Sequence, residues 1–477
     1  MRIMGTILAV FAAVMLLRPD PAYAGRLEAG TYTAGNTLSG PRAPTRINFQ
    51  QNFDTVPVVI ALADSQGNNS ASIRITNITT TGFDSLILEP DNWDGRHISQ
   101  IVHYVAIEPG RHILPGGTVI EAGRTDTSAV QFGPGVSGSA SFTNVSFSQP
   151  LSGITTVIAQ IQTANSETRN VPSQSSRPHI TALTVNQNSN GFQLALERSQ
   201  SSIGTVLVET VGWIAFPAGA SDNFEDIAGN TISWGADNSG NVVRGWDDGC
   251  FSVVLPITSA SRVVVAKKRS RNNGDGGWFR YCSLTSSTIS LRVDEDRAID
   301  NERRVAAADA ESAAIIAFSQ PFHANLRGEI QVTKTSVTIA NAVNEGFAIP
   351  GSTVEYLITV ENIGNAPVDQ GSLIISDLLS QHTALLVGDI AGTGSGPIEA
   401  SGSALALGLG YTFLGLGSGG DNIDFSDISG FGYTPSDGGD GSDSNVRAFV
   451  IVPSGHFEGD RGSGAPQLSL RYRVLIE

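Results

Sequence analysis

A pattern of residues recurs along the first two thirds of the chain at a constant spacing. In the first copy, Gly82-Phe83 leads, 21 residues after the Phe, to Tyr104. In the second copy, Gly191-Phe192 leads over the same 21 residues to Trp213. A third, more divergent copy ends in Ile315-Ile316-Ala317-Phe318. Equal spacing with matching ends indicates one folding unit repeated in tandem.

Within each copy the residues follow the pattern of β-strands. Apolar runs at 56–62, 154–161 and 262–266 correspond to one another, and strict alternation follows at 72–76 and 192–196. Alternation places one face of a strand in a core and the other in water. Short strands joined by Gly-, Asn- and Ser-rich turns are typical of antiparallel sandwiches. The fold class predicted for these copies is therefore all-β.

The composition of the chain changes after residue 325. Residues 330–334, 354–360 and 467–476 are predicted strands, and 392–444 is a Gly- and Asp-rich stretch. We predict a fourth β-sandwich that carries a loose acidic loop. The predicted organisation is a signal peptide at 1–24, sandwiches at 25–114, 115–220 and 221–325, and a C-terminal domain at 326–477.

The first 24 residues have the features of an export signal. Arg2 supplies a positive charge, residues 7–17 are apolar, and Ala22-Tyr23-Ala24 is a small-x-small cleavage signal. An uncleaved anchor is the alternative. No later stretch is apolar for long enough to span a bilayer as a helix. We expect a protein that is secreted or held at the bacterial cell surface, extracellular or outer-membrane-associated.

The first copy contains an ordered set of short motifs: the run 56–62 with Asp64, Ile73-Arg74-Ile75, Thr81-Gly82-Phe83, Asn92-Trp93 and Tyr104-Val105-Ala106. With these motifs it resembles an H-type lectin module, the family of invertebrate and slime-mould agglutinins. The other two copies share fewer of these pieces. The resemblance implies six-stranded antiparallel sandwiches that bind sugars and form trimers or hexamers. Three copies in one chain imply an intrachain pseudo-trimer, with a homo-oligomer as the alternative.

The C-terminal part resembles a repeat domain of unknown function found in bacterial surface proteins. The resemblance is carried by Thr333-Lys334, by residues 350–356 and by residues 360–365. It implies an immunoglobulin-like spacer without chemistry of its own.

The candidate sugar site lies in the first copy. A sugar needs planar polar groups for its hydroxyls and an aromatic face for its C–H side. The lectin resemblance assigns these roles to Asp64, Arg74, Trp93, Asp94 and His97. The alternative is that Trp93 packs a loop and that Arg74 pairs with a surface carboxylate.

The other two copies keep less of this set. Arg74 lies nine residues before Phe83, and the same count reaches Leu183 in the second copy and Arg280 in the third. Trp93 has no clear equivalent in either. The first copy is therefore the candidate for sugar binding.

The chain has two cysteines, Cys250 and Cys282. Because an exported protein meets oxidising conditions, we predict a disulfide between them. Two buried thiols are the alternative, and a metal site is disfavoured because two sulfurs alone hold a metal poorly.

The net charge of −16 limits the partners of this protein. From residue 328 onward, five basic residues stand against seventeen acidic ones. Such a surface repels phosphate backbones, so nucleic acid is not an expected partner. Glycans or other components of the surface or matrix are the expected partners.

No catalytic template is found in the sequence. It lacks a GxSxG elbow, an HExxH helix and a P-loop, so we expect no catalytic residues, no cofactor and no enzyme activity. The acidic runs at 294–304 and 421–443 are predicted to be solvated loops, with structural Ca²⁺ as the alternative. The predicted function is a carbohydrate-binding adhesin; the alternative is a non-binding structural component of the envelope, an appendage or the matrix.

Overall fold

The protein is nearly all β, as predicted. The computed structural model describes residues 25–35, 44–90, 93–114, 117–133, 138–166, 178–198, 200, 205–326, 328–340, 347–364, 366–368, 370–402, 408–460 and 464–477. The predicted signal peptide lies outside these ranges. The described residues divide into two compact units, 25–326 and 328–477. Within the described part no helix is long and apolar enough to cross a membrane.

The first unit begins with a sandwich of two antiparallel sheets. Its strands are β1 (Gly25–Ala34), β2 (Thr45–Asn48), β3 (Val58–Ala63), β4 (Ser72–Thr79), β5 (Gly82–Leu88) and β6 (Gln100–Ile107). One sheet contains β1, β6 and β3 in that order, and the other contains β2, β5 and β4. A short strand, β7 (Gly110–Ile113), follows the sandwich.

Two further sandwiches repeat this strand order. The second has β8 (Val119–Thr127), β9 (Val130–Gln131), β10 (Thr143–Ser146), β11 (Thr155–Ile161), β12 (Ile180–Asn188), β13 (Gly191–Arg198) and β14 (Glu209–Pro217), followed by β15 (Ala220–Glu225). The third has β16 (Thr231–Asn238), β17 (Phe251–Val254), β18 (Val263–Lys268), β19 (Trp278–Leu284), β20 (Thr288–Asp294) and β21 (Ala313–Phe318), followed by β22 (Phe322–Leu326). Their sheets run β8-β14-β11 with β10-β13-β12, and β16-β21-β18 with β17-β20-β19. Two 3₁₀ turns, Trp246–Asp248 and Ala307–Asp309, lie in the third.

The short strands between the sandwiches join them into a closed ring. Strand β7 pairs with β8 of the second sandwich, and β15 pairs with β16 of the third. Strand β22 then pairs with β1, the first strand of the unit. The last sandwich is therefore hydrogen-bonded to the first. At each junction the connecting strand pairs with the backbone groups of a strand that would otherwise be at the edge of its sheet.

The recurring aromatic pairs form the centres of the first two cores. Phe83 and Tyr104 pack with ring centroids 5.3 Å apart, and Phe192 and Trp213 pack at 5.4 Å, both edge to face. The glycines that precede the two phenylalanines are required by a different contact. A Cβ atom on Gly82 or Gly191 would lie about 2 Å from a carbonyl oxygen of the neighbouring strand. The repeated Gly-Phe pair and the aromatic residue 21 positions after the Phe are thus explained by one aromatic contact and one close backbone approach.

The strands β3 and β11 are buried on both faces, and so is β18 except at Lys267, which is partly exposed. In β3, Val59 and Ala61 belong to the core of the sandwich, while Ile60 and Leu62 on the other face are equally buried. The same strand contacts β11 and β18 of the other two sandwiches. Burial on both faces explains why these strands are continuous apolar runs rather than alternating ones.

The second unit consists of two sheets packed around one core. Its strands are β23 (Ile330–Ala340), β24 (Thr353–Asn362), β25 (Ile375–Leu378), β26 (Thr383–Leu386), β27 (Ile398–Ser401), β28 (Ile423–Asp427), β29 (Gly430–Tyr433), β30 (Ser442–Asp443), β31 (Ala448–Ile451) and β32 (Gln467–Ile476). One sheet runs β23-β24-β32-β26-β30 with β27 beside β32, and the other runs β25-β31-β28-β29. The final strand alternates as predicted, with Leu468, Leu470, Tyr472 and Val474 buried.

A buried carboxylate connects the two sheets of this unit. Asp377 of β25 accepts a hydrogen bond of 2.6 Å from the Tyr472 hydroxyl and pairs with the Lys334 ammonium at 2.6 Å. The ammonium also lies 4.5 Å from the centroid of the Tyr356 ring. Lys334 and Tyr356, which both belong to the residues that carry the C-terminal resemblance, therefore contact each other beside this carboxylate.

The acidic stretch of the second unit contributes strands β27 to β30 to the two sheets. Its aspartates accept backbone hydrogen bonds within turns, as Asp437 does from the N–H groups of Gly439 and Gly441. Residues 403–407 of this stretch lie outside the described ranges. Local acceptance of backbone N–H groups is the usual role of aspartate in tight turns.

The predicted disulfide between Cys250 and Cys282 is confirmed. Cys250 precedes β17 and Cys282 lies in β19, the two strands that flank β20. Arg292 of β20 lies beneath the bridge, with Nε 2.9 Å from one sulfur and Nη2 2.9 Å from the other. The disulfide therefore ties the outer strands of this sheet across its central strand.

We expect the Cys250→Ala, Cys282→Ala double variant to lower the free energy of unfolding by about 2–4 kcal/mol, because the bridge restricts the unfolded chain. Denaturant titration of wild type and variant, each with and without reductant, measures the difference. The reductant should weaken the wild type alone. Equal stability of variant and oxidised wild type would contradict the expectation.

Candidate functional site

Arg74 lies between the first and second sandwiches. It is 2 % exposed, and its guanidinium donates hydrogen bonds to the carbonyl oxygens of Thr163, at 3.0 Å, and Ile180, at 2.8 Å. Both acceptors belong to the second sandwich. Strand β4 places Arg74 opposite Leu86, on the part of the sheet that the next sandwich covers. Arg74 thus holds two sandwiches together.

Arg280 is the counterpart of Arg74 in the third sandwich. In the strand register, Arg74, Leu183 and Arg280 pair with Leu86, Ala195 and Arg292. These three partners each lie three residues after the equivalent positions 83, 192 and 289, so Arg74, Leu183 and Arg280 are equivalent as well. Arg280 donates to the carbonyl oxygens of Asp64 and Asn69, each at 3.0 Å, and to that of Gln66. Arg280 therefore connects the third sandwich to the first, as Arg74 connects the first to the second.

Asp64 meets Arg280 at this junction. It directly follows β3, and its carboxylate accepts hydrogen bonds from the backbone N–H groups of Ile101 (3.1 Å) and Gln66 (3.3 Å). Burial raises the pKa of this carboxyl, while the nearby Arg280 charge and the hydrogen bonds act in the opposite direction. The structure thus joins Asp64 to Arg280 and places Arg74 at the neighbouring junction.

The loop before β6 carries the other three predicted site residues. His97 is buried, with Nδ1 2.9 Å from the Ile98 carbonyl oxygen, and burial lowers its pKa. Trp93 is partly exposed and Asp94 is exposed. Arg297 of the third sandwich places its guanidinium 5.6 Å from the centroid of the Trp93 ring. Trp93 and Asp94 are therefore the predicted site residues that reach the surface.

A buried carboxylate, Asp294, completes the junction between the third and first sandwiches. It accepts hydrogen bonds from Arg280 at 2.9 Å, from Arg303 at 3.2 Å and from the Ala71 backbone N–H at 3.1 Å. The Arg280 and Arg303 guanidinium groups also lie 4.9 and 4.3 Å from the centroid of the Trp246 ring. The prediction of a solvated loop at 294–304 is wrong for Asp294 and Arg303, which are buried at this junction.

Glu295, which follows Asp294, has an unusual environment. It is almost completely buried, and no group within the described ranges donates a hydrogen bond to either oxygen of its carboxylate. Burial and the nearby carboxylates of Asp275, Glu302 and Asp300 raise its pKa to about 10. Glu89, at the equivalent position of the first sandwich, instead accepts a hydrogen bond from the Gly95 N–H at 2.9 Å. In the described part of the chain, no three or more His, Cys, Asp or Glu side chains are arranged to hold a metal ion.

Among the predicted site residues, those that a ligand can reach lie in the loop around Trp93. It presents part of an indole ring, the exposed Asp94 and Arg96 side chains, and Arg297 from the third sandwich. The arrangement offers an aromatic face with charged hydrogen-bonding groups beside it. An aromatic face and charged hydrogen-bonding groups are chemistry suited to binding a polar ligand.

Comparison with known proteins identifies this part of the chain. No curated protein and no solved structure matches the sequence. Residues 44–107, which contain β2 to β6 and the Trp93 loop, match the family model of the H-type lectin domain. Most of the first sandwich is therefore similar to an H-type lectin domain.

Proposed function

We propose that this is an exported bacterial surface protein that binds carbohydrate without catalysing a reaction. The observation that carries the proposal is the H-type lectin match over residues 44–107. The Trp93 loop lies within this match and reaches the surface. We assign sugar recognition to that loop rather than to Asp64, Arg74 and His97, because protein groups enclose those three side chains.

The chemistry of the loop suits a sugar. The C–H face of a pyranose packs against an aromatic ring, and its hydroxyls bind to carboxylate and guanidinium groups. Trp93 supplies part of a ring, while the exposed Asp94 and Arg96 of the same loop supply an acceptor and donors. Arg297 covers one side of the indole, so the sugar stacks on the part that stays exposed.

A broad glycan array tests the proposal, probed with the chain from Gly25 to Glu477 in the presence and absence of Ca²⁺. We expect selective binding that Trp93→Ala abolishes and Asp94→Asn weakens. Removal of one well-placed hydrogen-bonding group commonly costs about 1 kcal/mol, or roughly a fivefold loss of affinity.

The matched control is Phe431→Ala, which removes an exposed aromatic side chain from the other unit and should leave binding unchanged. A circular dichroism spectrum of each variant establishes that it is folded. A blank array from folded wild type, or undiminished binding by Trp93→Ala, would refute sugar recognition at this loop.

A second candidate function is purely structural. The burial of Asp64, Arg74 and His97 within the closed ring favours it, because these side chains stabilise the ring whether or not a sugar binds. A blank array together with concentration-dependent self-assembly in analytical ultracentrifugation would support this alternative.

Export is supported by the signal-like first 24 residues and by the Cys250–Cys282 disulfide, which is typical of oxidising compartments. Fractionation of cells, with an antibody against the chain, tests this part of the proposal. Recovery of the chain solely from the cytoplasm would overturn it.

A further inference from the structure

The three sandwiches meet at positions that are equivalent in the repeat but differ in chemistry. The equivalent positions are Leu62 of β3, Gln160 of β11 and Lys267 of β18. Each pairs with the residue directly before position 104, 213 or 315 of the strand that closes its sandwich: His103, Gly212 and Ala314 respectively. One apolar side chain, one amide and one ammonium therefore share the centre of the ring. The Lys267 ammonium donates a hydrogen bond to Gln160 Oε1 at 2.6 Å.

A cavity lies beside this lysine. Its volume is about 40 Å³, and residues from all three sandwiches line it. Much of the wall consists of small side chains: Ala61, Ala63, Ala71, Ala159 and Ala182. A water molecule needs roughly 10–15 Å³ by this measure, so the cavity has room for two or three waters or for a small ion. It is too small for a sugar ring.

The charges around the cavity do not balance. Lys268 pairs with Glu197 at 2.6 Å, and Arg280 pairs with Asp294 at 2.9 Å. Each of these carboxylates is also shared with a second basic side chain. Lys267 has no carboxylate partner among the described residues, and burial lowers its pKa to about 7. The Lys267 side chain is partly exposed. While its amine is protonated, it places a positive charge without a paired carboxylate beside the cavity, and this charge favours an anion there.

We propose that this cavity binds a small inorganic anion of the size of chloride, with the Lys267 ammonium as its main ligand. The anion supplies the charge that the protein side chains around Lys267 lack. Because the cavity wall is built from all three sandwiches, occupancy stabilises the closed ring. The proposal does not depend on sugar binding, since the cavity is separate from the Trp93 loop.

Thermal unfolding of the chain from Gly25 to Glu477 at pH 6, where the Lys267 amine is protonated, tests the proposal in sodium chloride and in sodium gluconate at equal ionic strength. Gluconate is too large for the cavity. At saturating chloride we expect the Tm of the 25–326 unit to rise by about 2–4 °C. Lys267→Met should remove this difference, because methionine fills the aliphatic space without the charge.

Lys334→Met is the matched control, since it removes a lysine from the other unit and should keep the chloride effect. In crystals grown with bromide, an anomalous peak in contact with Lys267 Nζ should mark the anion directly. Equal Tm values in the two salts for the wild type, or an undiminished chloride effect in folded Lys267→Met, would overturn the proposal.

Discussion

Replacement of Arg280 by methionine should lower the free energy of unfolding of the 25–326 unit by about 3–5 kcal/mol. Arg280 is fully buried, donates to the Asp64 and Asn69 carbonyl oxygens, and pairs with Asp294 at 2.9 Å. Methionine keeps most of the aliphatic volume, so the loss reports the hydrogen bonds and the ion pair. It also leaves Asp294 with one arginine fewer in a site that water does not reach. Urea unfolding followed by tryptophan fluorescence measures the change.

Arg304→Met is the matched control for this variant. The Arg304 side chain is 65 % exposed, and its ion pairs with Asp248 and Glu302 are 4.0 and 3.9 Å long. Exposed pairs of this kind contribute about 0–1 kcal/mol. If Arg280→Met cost no more than Arg304→Met, the junction between the third and first sandwiches would not depend on the buried guanidinium.

Replacement of Glu295 by glutamine should instead stabilise the protein, by up to about 4 kcal/mol at pH 7.5. The folded state raises the pKa of this carboxyl from its ordinary value of 4.5 to about 10. Below pH 4.5 both folded and unfolded chains hold the proton, so the substitution has little effect. Above pH 4.5 the unfolded chain releases its proton while the folded chain keeps it. Wild-type stability therefore falls with rising pH, by about 1.4 kcal/mol per unit until pH 10, and the neutral glutamine avoids this loss.

The measurement is urea unfolding of both proteins between pH 4.5 and pH 8.5, in EDTA so that no divalent cation neutralises the carboxylate. Glu89→Gln is the control at the equivalent position of the first sandwich. Its carboxylate accepts a hydrogen bond from the Gly95 N–H, so neutralising it should not stabilise the protein. A difference between wild type and Glu295→Gln that stays constant with pH would contradict the assigned burial of Glu295.

Much of the fold follows from local patterns in the sequence. The spacing from Phe83 to Tyr104 and from Phe192 to Trp213 predicts equivalent core positions, because in each sandwich the two rings pack on one another. The alternation of the last strand predicts its buried face, and an oxidising compartment predicts the disulfide. Each of these features depends on neighbours in the chain or on one pair of residues.

The candidate site could be predicted only in part. Asp64, His97 and Trp93 lie around the junction of the first and third sandwiches, and the arginine at this junction is Arg280 rather than the predicted Arg74. The alternation around Arg74 predicts a side chain that faces water, which is wrong, because Arg74 is 2 % exposed. Alternation carries no information about which sandwich covers a face of a sheet.

The amino-acid sequence alone predicts the β-strands and the repeated unit. These properties arise from side-chain periodicity and local sterics, which act over a few residues. The folded structure adds that β22 closes the ring onto β1, that Arg280 binds the first sandwich, and that Lys267 lies beside a cavity. These contacts join residues about 100 to 300 positions apart, and their geometry depends on how whole sheets pack.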